Sequence, residues 1–293
     1  MRVAVTGASG FLGSRLAQHL ASLGHDVLRI QSPGQKAARR NKEQALDLED
    51  QSNLPRLVQL LKQVEVCYFL AARKHPSHPG LLLQQNRQID NLCATAWLES
   101  KCRQAVYVSG QAILGSAQTS PVTEESIPKP TCEYHSAKKA GEDIMQNAAR
   151  QGGDSLFILR VNAPYGPGMD TNAVVAKFLK QAILGREITV FGDGSRQQHF
   201  TWVYDFCRAA ELILDQQPGL YHFCGPDRVS MNQLARLCIE ITQSKSNLGT
   251  TGDDSGVSAP ILGPDRFETL WPRHKRTTLR EGLSHMAAGI KEA

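Results

Sequence analysis

Arg2-Val3-Ala4-Val5-Thr6-Gly7-Ala8-Ser9-Gly10-Phe11-Leu12-Gly13 decides the fold. A β-branched, apolar run passes at once into three glycines at 7, 10 and 13, and then into Phe11, Leu12, Leu16, Leu20 and Leu23, whose spacing is helical. This is a strand, a glycine turn and a helix. Gly7 permits the tight turn, Gly10 allows an anion to approach the backbone, and Gly13 lets helix and strand pack closely. The amides at the helix N-terminus then face negative charge. The loop therefore predicts a dinucleotide pyrophosphate site formed by Gly7, Ser9, Gly10, Phe11, Leu12 and Gly13.

Outward from this loop the same rhythm continues. Strands are expected at 26–30, 45–48, 65–71, 105–109 and 155–161, and helices at 52–63, 81–101 and 132–150. Continuous apolar strands alternating with helices predict an α/β fold, a Rossmann-type doubly wound parallel sheet covered on both faces. After Pro164 the glycines and prolines cluster, and a helix at 172–184 and a strand at 188–191 lead into Gly192-Asp193-Gly194. These pieces predict a smaller mixed α/β substrate lobe. The expected division is a dinucleotide-binding domain over 1–165 with return segments at about 198–225, a lobe over 166–197 and 226–276, and a C-terminal helix over 277–293. Residues 244–260, rich in Ser, Gly, Thr and Asp, are expected to form a mobile loop.

Composition limits the function classes. With 41% hydrophobic and 21% charged residues the chain has an ordinary globular composition, and no run approaches the roughly 18 to 20 apolar residues of a membrane span. The opening residues pass from strand to glycine loop without an export signal, and the seven cysteines form no Cys-x-x-Cys pair. A cytoplasmic protein with reduced thiols is expected. The net charge of +5 is dispersed along the chain, which favours an anionic small molecule as partner over nucleic acid or a membrane. His75 and His78 lack companions at ligand spacing, so no metal is expected.

The second strand ends at Gln31, where a NAD-preferring site has an acidic residue for the ribose hydroxyls. With no carboxylate to repel a 2′-phosphate, and with Lys36, Arg39 and Arg40 following, the cofactor reads as NAD(P), NADP(H) slightly favoured. Asp47 is a candidate for the adenine amino group, with Leu48 beside it.

Several further motifs occur in order: Ala71-Ala72, Tyr134-His135-Ser136-Ala137-Lys138, Tyr165-Gly166-Pro167-Gly168, Val190-Phe191-Gly192-Asp193-Gly194-Ser195, Phe200-Thr201-Trp202-Val203-Tyr204-Asp205 and Leu279-Arg280-Glu281-Gly282-Leu283. Together with the loop they resemble the extended short-chain dehydrogenase/reductase family, and within it the sugar-nucleotide epimerases, dehydratases and reductases. The resemblance covers nearly the whole chain. It implies hydride transfer at a carbinol carbon of a nucleotide sugar or similar polyol. It assigns an acid/base role to Tyr134 and a nicotinamide-ribose role to Lys138, with Asn91 ordering the site and Ala71 and Ala72 lining the cofactor. Four residues apart on a helix, Tyr134 and Lys138 share a face. The ammonium, with the charge of an oxidised nicotinamide, is expected to draw the phenol's pKa down from its usual value near 10. The resemblance also implies a homodimer through the helices at 81–101 and 132–150.

The chain departs from the family at three places. Gly110 stands where a Ser or Thr would bond the reacting hydroxyl, with Leu114 in place of a tyrosine four residues later, so Ser109 or Gln111 becomes the substitute. Ala163 replaces an asparagine, with Asn162 adjacent. Gln198 replaces the arginine expected to grip a diphosphate, leaving Arg196, Arg228 or Arg266 to supply the charge. These losses define the alternatives: a catalytically impaired NAD(P)-binding sensor or scaffold, or an NADPH-dependent reductase of a non-nucleotide carbonyl compound.

Overall fold

The computed structural model describes residues 1–34, 43–74, 80–115, 121–152, 155–253, 258–263, 266–267 and 274–291. In chain order the main elements begin with β1 (Arg2–Thr6), α1 (Phe11–Ser22), β2 (Asp26–Gln31), β3 (Glu43–Ala45), α2 (Leu54–Leu61), β4 (Val66–Phe69) and α3 (Leu82–Ser100). Then come β5 (Gln104–Gly110), α4 (Glu133–Gly152), β6 (Ser155–Val161), β7 (Pro164–Tyr165), α5 (Val174–Ile183), β8 (Ile188–Phe191), β9 (Gln197–His199), β10 (Thr201–Trp202) and α6 (Val203–Leu212). β11 (Gly219–Phe223), β12 (Arg228–Ser230), α7 (Met231–Thr242), β13 (Leu248–Thr251) and α8 (Leu279–Lys291) complete the order.

Two compact units result. The first contains Met1–Leu114, Glu124–Val161 and Cys207–His222, and the second Gly115–Thr123, Asn162–Phe206 and Phe223–Ala293. A seven-stranded sheet of order β11-β6-β5-β4-β1-β2-β3 is centred on the first unit, and the pairs from β6 through β3 are parallel. Its central strands are buried along almost their whole length, as a sheet covered on both faces demands. Trp97, Tyr107, Phe69 and Ile158 fill the layer between sheet and helices. The second unit has its own core, in which Tyr165, Phe178, Trp202 and Leu283 pack together, and α8 is part of it.

Three local expectations change, and one helix, α7, is added. The strand expected at 45–48 lies at Glu43–Ala45, because Asp47 turns the chain by accepting the Glu49 amide at 3.0 Å. The helix expected at 52–63 starts later. Asp50 caps a short 3-10 turn through the Ser52 amide, and Pro55 then opens α2. The segment expected as a mobile loop contains β13, which runs parallel to β8 with Leu248 opposite Ile188. α7 has a full capping box, Ser230 with Gln233, and buries Met231, Leu234, Ala235 and Cys238.

α4 and β6 are joined by a buried ion pair. Arg160 donates from Nε to Glu142 Oε1 at 2.9 Å and from Nη2 to Oε2 at 2.7 Å, while its Nη1 lies 3.4 Å from His222 Nε2. Beside that cation, burial and the Arg160 charge hold His222 at a pKa of about 3, so the imidazole is neutral. Removing one partner strands the other charge in the core. Glu142→Ala is expected to cost about 3–5 kcal/mol in urea unfolding, and Glu142→Gln less, since the amide still accepts from Arg160.

Candidate active site

The glycine loop is held by the side chain of Thr6. Its hydroxyl donates to the Tyr68 carbonyl at 3.4 Å and accepts the amides of Leu70 at 3.1 Å and Ala71 at 3.3 Å, tying the end of β1 to the end of β4. Gly7 has φ +66, and a Cβ there would stand 2.9 Å from the backbone of Ala71. At Gly13 a Cβ would meet the Gly7 carbonyl oxygen at 2.2 Å, so α1 packs onto the loop with no room for a side chain. Gly10 precedes α1 in extended conformation, without a side-chain cap and without an acid in the first turn. Ser9 and Gly10 are exposed, and Phe11 and Leu12 partly so. The first amides of α1 thus face outward with no acid of the helix's own first turn competing for them, which fits a dinucleotide diphosphate.

Around this cradle, Gln31 is buried at the end of β2, its carbonyl accepting the Leu46 amide at 2.9 Å. Asp47 and the Ala71-Ala72 pair are partly exposed, and Leu48 is buried. Lys36, Arg39 and Arg40 lie outside the described residues, as do His75 and His78. Among the described residues no cluster of metal-ligating side chains occurs. Asn91 is exposed on α3, whereas Asn86, five residues earlier, is buried. The Asn86 amide accepts the Arg73 N–H at 3.0 Å and donates to the carbonyls of Arg73 at 3.1 Å and Leu82 at 2.9 Å. Asn86 thus ties Arg73, in the segment after β4, to the first turn of α3.

Tyr134 and Lys138 stand one turn apart in the first half of α4. Lys138 is buried, and its ammonium donates to the hydroxyl of Tyr107 at 2.9 Å while lying 4.2 Å from the centre of that ring. The Tyr107 hydroxyl in turn donates to Asp90 Oδ2 at 3.2 Å. In the protein alone, burial outweighs any help from Lys138: the Tyr134 phenol is pushed up to about 12 by desolvation, with Asp90 and Cys132 adding to the rise. The expected lowering therefore needs charge that the polypeptide does not itself supply at Tyr134. Burial lowers the Lys138 pKa, and Asp90 and Glu142 oppose that shift.

At the end of β5, Gly110 pairs with Val161, and a Cβ at Gly110 would meet only the Val161 carbonyl, at 3.8 Å. A serine fits there. Ser109 Oγ and both amide atoms of Gln111 are buried without a hydrogen-bond partner among the described residues. Such groups cost free energy until something bonds them.

In the second unit, Gln198 Nε2 donates to Asn162 Oδ1 at 2.8 Å, and the Asn162 carbonyl accepts the Thr201 hydroxyl at 2.6 Å. Gln198 is thus engaged with Asn162. Arg228 bonds Gln197 Oε1 and, at 2.9 Å, the Ala259 carbonyl. Arg196 is partly exposed and Arg266 exposed. His199 is buried beside these groups, opposite Arg228 in the β9–β12 pair, and burial lowers its pKa.

A cofactor cradle on a parallel sheet, with a tyrosine and a buried lysine one helical turn apart, defines a dinucleotide-binding α/β protein of the short-chain dehydrogenase/reductase kind. The profile of the NAD dependent epimerase/dehydratase family matches residues 3–222, and the chain belongs to that family. UDP-glucuronic acid decarboxylase 1 of Arabidopsis thaliana is 24% identical over 314 residues, covering 99% of this chain and 70% of the relative. The uncharacterized UDP-glucose epimerase YtcB of Bacillus subtilis is 25% identical over 312 residues, covering 98% and 97%. UDP-glucose 4-epimerase of Thermotoga maritima, solved with UDP-glucose, superposes with a TM-score of 0.90 at 24% identity, covering 100% of this chain and 99% of that one. The Thermus thermophilus epimerase in complex with NAD gives 0.89 at 20% identity, covering 100% of both chains.

Ala163, where the motif resemblance leads one to expect an asparagine, has φ +29, a backbone conformation that disfavours a Cβ. Asparagine tolerates positive φ better. Ala163→Asn is expected to raise stability by about 0.5–1 kcal/mol, read as a higher urea midpoint at unchanged slope; a lower midpoint contradicts the assignment of strain.

Proposed function

We propose that this chain is an NAD(P)-dependent epimerase, dehydratase or reductase that acts by hydride transfer at a carbinol carbon of a nucleotide sugar. The observation that carries the proposal is Lys138, a lysine buried inside the helix–sheet layer one turn from Tyr134, in the same unit as the glycine cradle. A solvated face would hold such a lysine at no desolvation cost. The bound nicotinamide supplies the hydride acceptor and, when oxidised, a positive charge. Tyr134 Oη takes the proton of the reacting hydroxyl and returns it. Lys138 has one N–H on Tyr107 and two others with which to hold the nicotinamide ribose. Gly7, Ser9, Gly10, Phe11, Leu12 and Gly13 receive the diphosphate.

With Gly110 in place of a hydroxyl residue, Ser109 Oγ and the Gln111 amide are the proposed partners for the substrate oxygen, supported by their unpaired burial. On the substrate side the proposal assigns Asn162, Gln198 and Arg196, with Arg228 supplying charge that Gln198 lacks. NADP(H) is the proposed preference because Gln31 brings no carboxylate to the ribose end. A cytoplasmic setting is part of the proposal, supported by seven cysteines that are thiols rather than disulfides, six of them buried. Among the described residues no helix is long and apolar enough to cross a membrane.

A homodimer through α3 and α4 would have a polar interface. The exposed positions include Gln84, Arg87, Asn91 and Glu99 on α3 and Asp143, Asn147 and Arg150 on α4, and none of the exposed large apolar residues lies on either helix. Such a pair dissociates readily. Light scattering is expected to show a mass that falls from dimer to monomer on dilution through the micromolar range; a dimer that persists at nanomolar protein contradicts it.

Gly110 favours one second reading, a cofactor-binding sensor without turnover. The test is the melting temperature of the NADP-saturated protein with UDP, TDP, GDP and CDP sugars in turn, followed by turnover of whichever sugar stabilises it. The enzyme reading expects one nucleotide to raise the midpoint, turnover by the wild type, and a loss of at least about a hundredfold in kcat in Tyr134→Phe. Full turnover by Tyr134→Phe sinks it. The sensor reading expects no turnover until Gly110→Ser supplies the hydroxyl.

A further inference from the structure

Asp90 lies on α3, Tyr107 on β5 and Lys138 on α4, and the three side chains meet in the interior, each at most 5% exposed. The donors run in one direction, ammonium to phenol at 2.9 Å and phenol to carboxylate at 3.2 Å. The space they occupy has been cleared for them. Gly141 of α4 faces the cluster, and a Cβ there would stand 1.9 Å from Tyr107 Oη and 2.4 Å from Asp90 Oδ2. A helix interior normally disfavours glycine by about 1 kcal/mol relative to alanine, so the polar cluster and the glycine depend on each other.

We propose that Asp90 and Tyr107 are positioning residues for Lys138, forming a buried carboxylate–phenol tether that fixes the ammonium in place and in its charged form. The inference rests on the role proposed above for Lys138. Without the tether the lysine sits in an apolar layer with Glu142 as the remaining anion, and Glu142 is already committed to Arg160 at 2.7 and 2.9 Å. The groups facing Asp90 are Tyr107 from β5, Lys138 and Tyr134 from α4, and Cys93 from its own helix, while Glu142 faces Tyr107 and Lys138. Of these only Lys138 is a cation. Burial raises the Asp90 carboxyl to about 6, against the pull of Lys138 and the Tyr107 hydrogen bond. The tether therefore loses its anion as pH falls through that value. A group whose folded pKa is raised contributes stability that is complete below its unfolded value of 3.8 and is lost as pH rises through about 6. The carboxylate is thus held ionised at neutral pH at the expense of folding, as expected of a group retained for Lys138 rather than for stability.

The test is carbon-13 NMR of the cofactor-free protein labelled at its aspartate carboxyls, joined to NAD+ affinity by calorimetry. In the wild type one carboxyl, absent from Asp90→Asn, is expected to titrate near pH 6. Tyr107→Phe and Lys138→Met are each expected to move that midpoint up by roughly one unit. NAD+ binding is expected to weaken on the order of tenfold in Asp90→Asn and in Tyr107→Phe, with the double variant no weaker than the worse single. Wild-type affinity falls below pH 6, and that acid limb vanishes in Asp90→Asn. Tyr107→Phe keeps the ring against Lys138, so it reads the tether if Asp90→Asn does not fold. The resonance is then the one aspartate moved by both Tyr107→Phe and Lys138→Met. A midpoint unmoved by either, or losses that multiply in the double variant, overturns the proposal. Linked titration in a protein that binds neither NAD+ nor NADP+ keeps the tether and refutes the function; binding without linkage does the reverse.

Discussion

A buried cation is tolerable only where an anion and hydrogen bonds replace the water it has lost. Two cations, Lys138 and Arg160, sit in the layer between the sheet and α3 and α4, and two carboxylates, Asp90 and Glu142, are buried with them. The count balances, yet the pairs differ in kind. Glu142 and Arg160 form a direct, two-point fork that joins α4 to β6. Asp90 reaches Lys138 through a phenol, which leaves the ammonium with N–H groups to spare. The first arrangement suits a structural bond, and the second suits a cation held ready for another partner.

The cofactor cradle obeys a different constraint, that of backbone approach. Thr6 brings the end of β4 against the end of β1, and Gly7 and Gly13 fill positions where any side chain would collide with Ala71 or with the loop itself. Side chains are excluded for packing, and the exposed amides of α1 are the consequence. Lys138 and this loop belong to one compact unit. A change that loosens the buried charges, such as loss of Glu142, is therefore expected to act on the site through α4.

What the sequence made legible was local. The glycine loop, the strand–helix alternation and the Tyr134/Lys138 spacing each lie within a few residues, so periodicity and turn chemistry expose them. The charge network was not legible, because Asp90, Tyr107, Glu142 and Arg160 are far apart in the chain and are joined only by the packing of α3, β5, α4 and β6. The bonds of Asn86 to the segment after β4 were equally hidden; Asn91, five residues on, is more than a helical turn away, which separates a buried amide from an exposed one. α7 had its signal in plain view, Ser230-Met231-Asn232-Gln233 ahead of an apolar stripe, and a search for capping boxes finds it. β13 had none, since Leu248-Gly249-Thr250-Thr251 becomes a strand only by pairing with β8.

The hydride exchange proposed for these residues is read directly by the near-ultraviolet absorbance of reduced nicotinamide. Protein loaded with oxidised cofactor is mixed with excess UDP-glucose or UDP-glucuronic acid, the substrates or ligands that relatives bear in their names. A rise in reduced nicotinamide is expected with the wild type, transient or lasting, and none with Tyr134→Phe. A flat trace from a wild type shown to bind both cofactor and sugar nucleotide would contradict it.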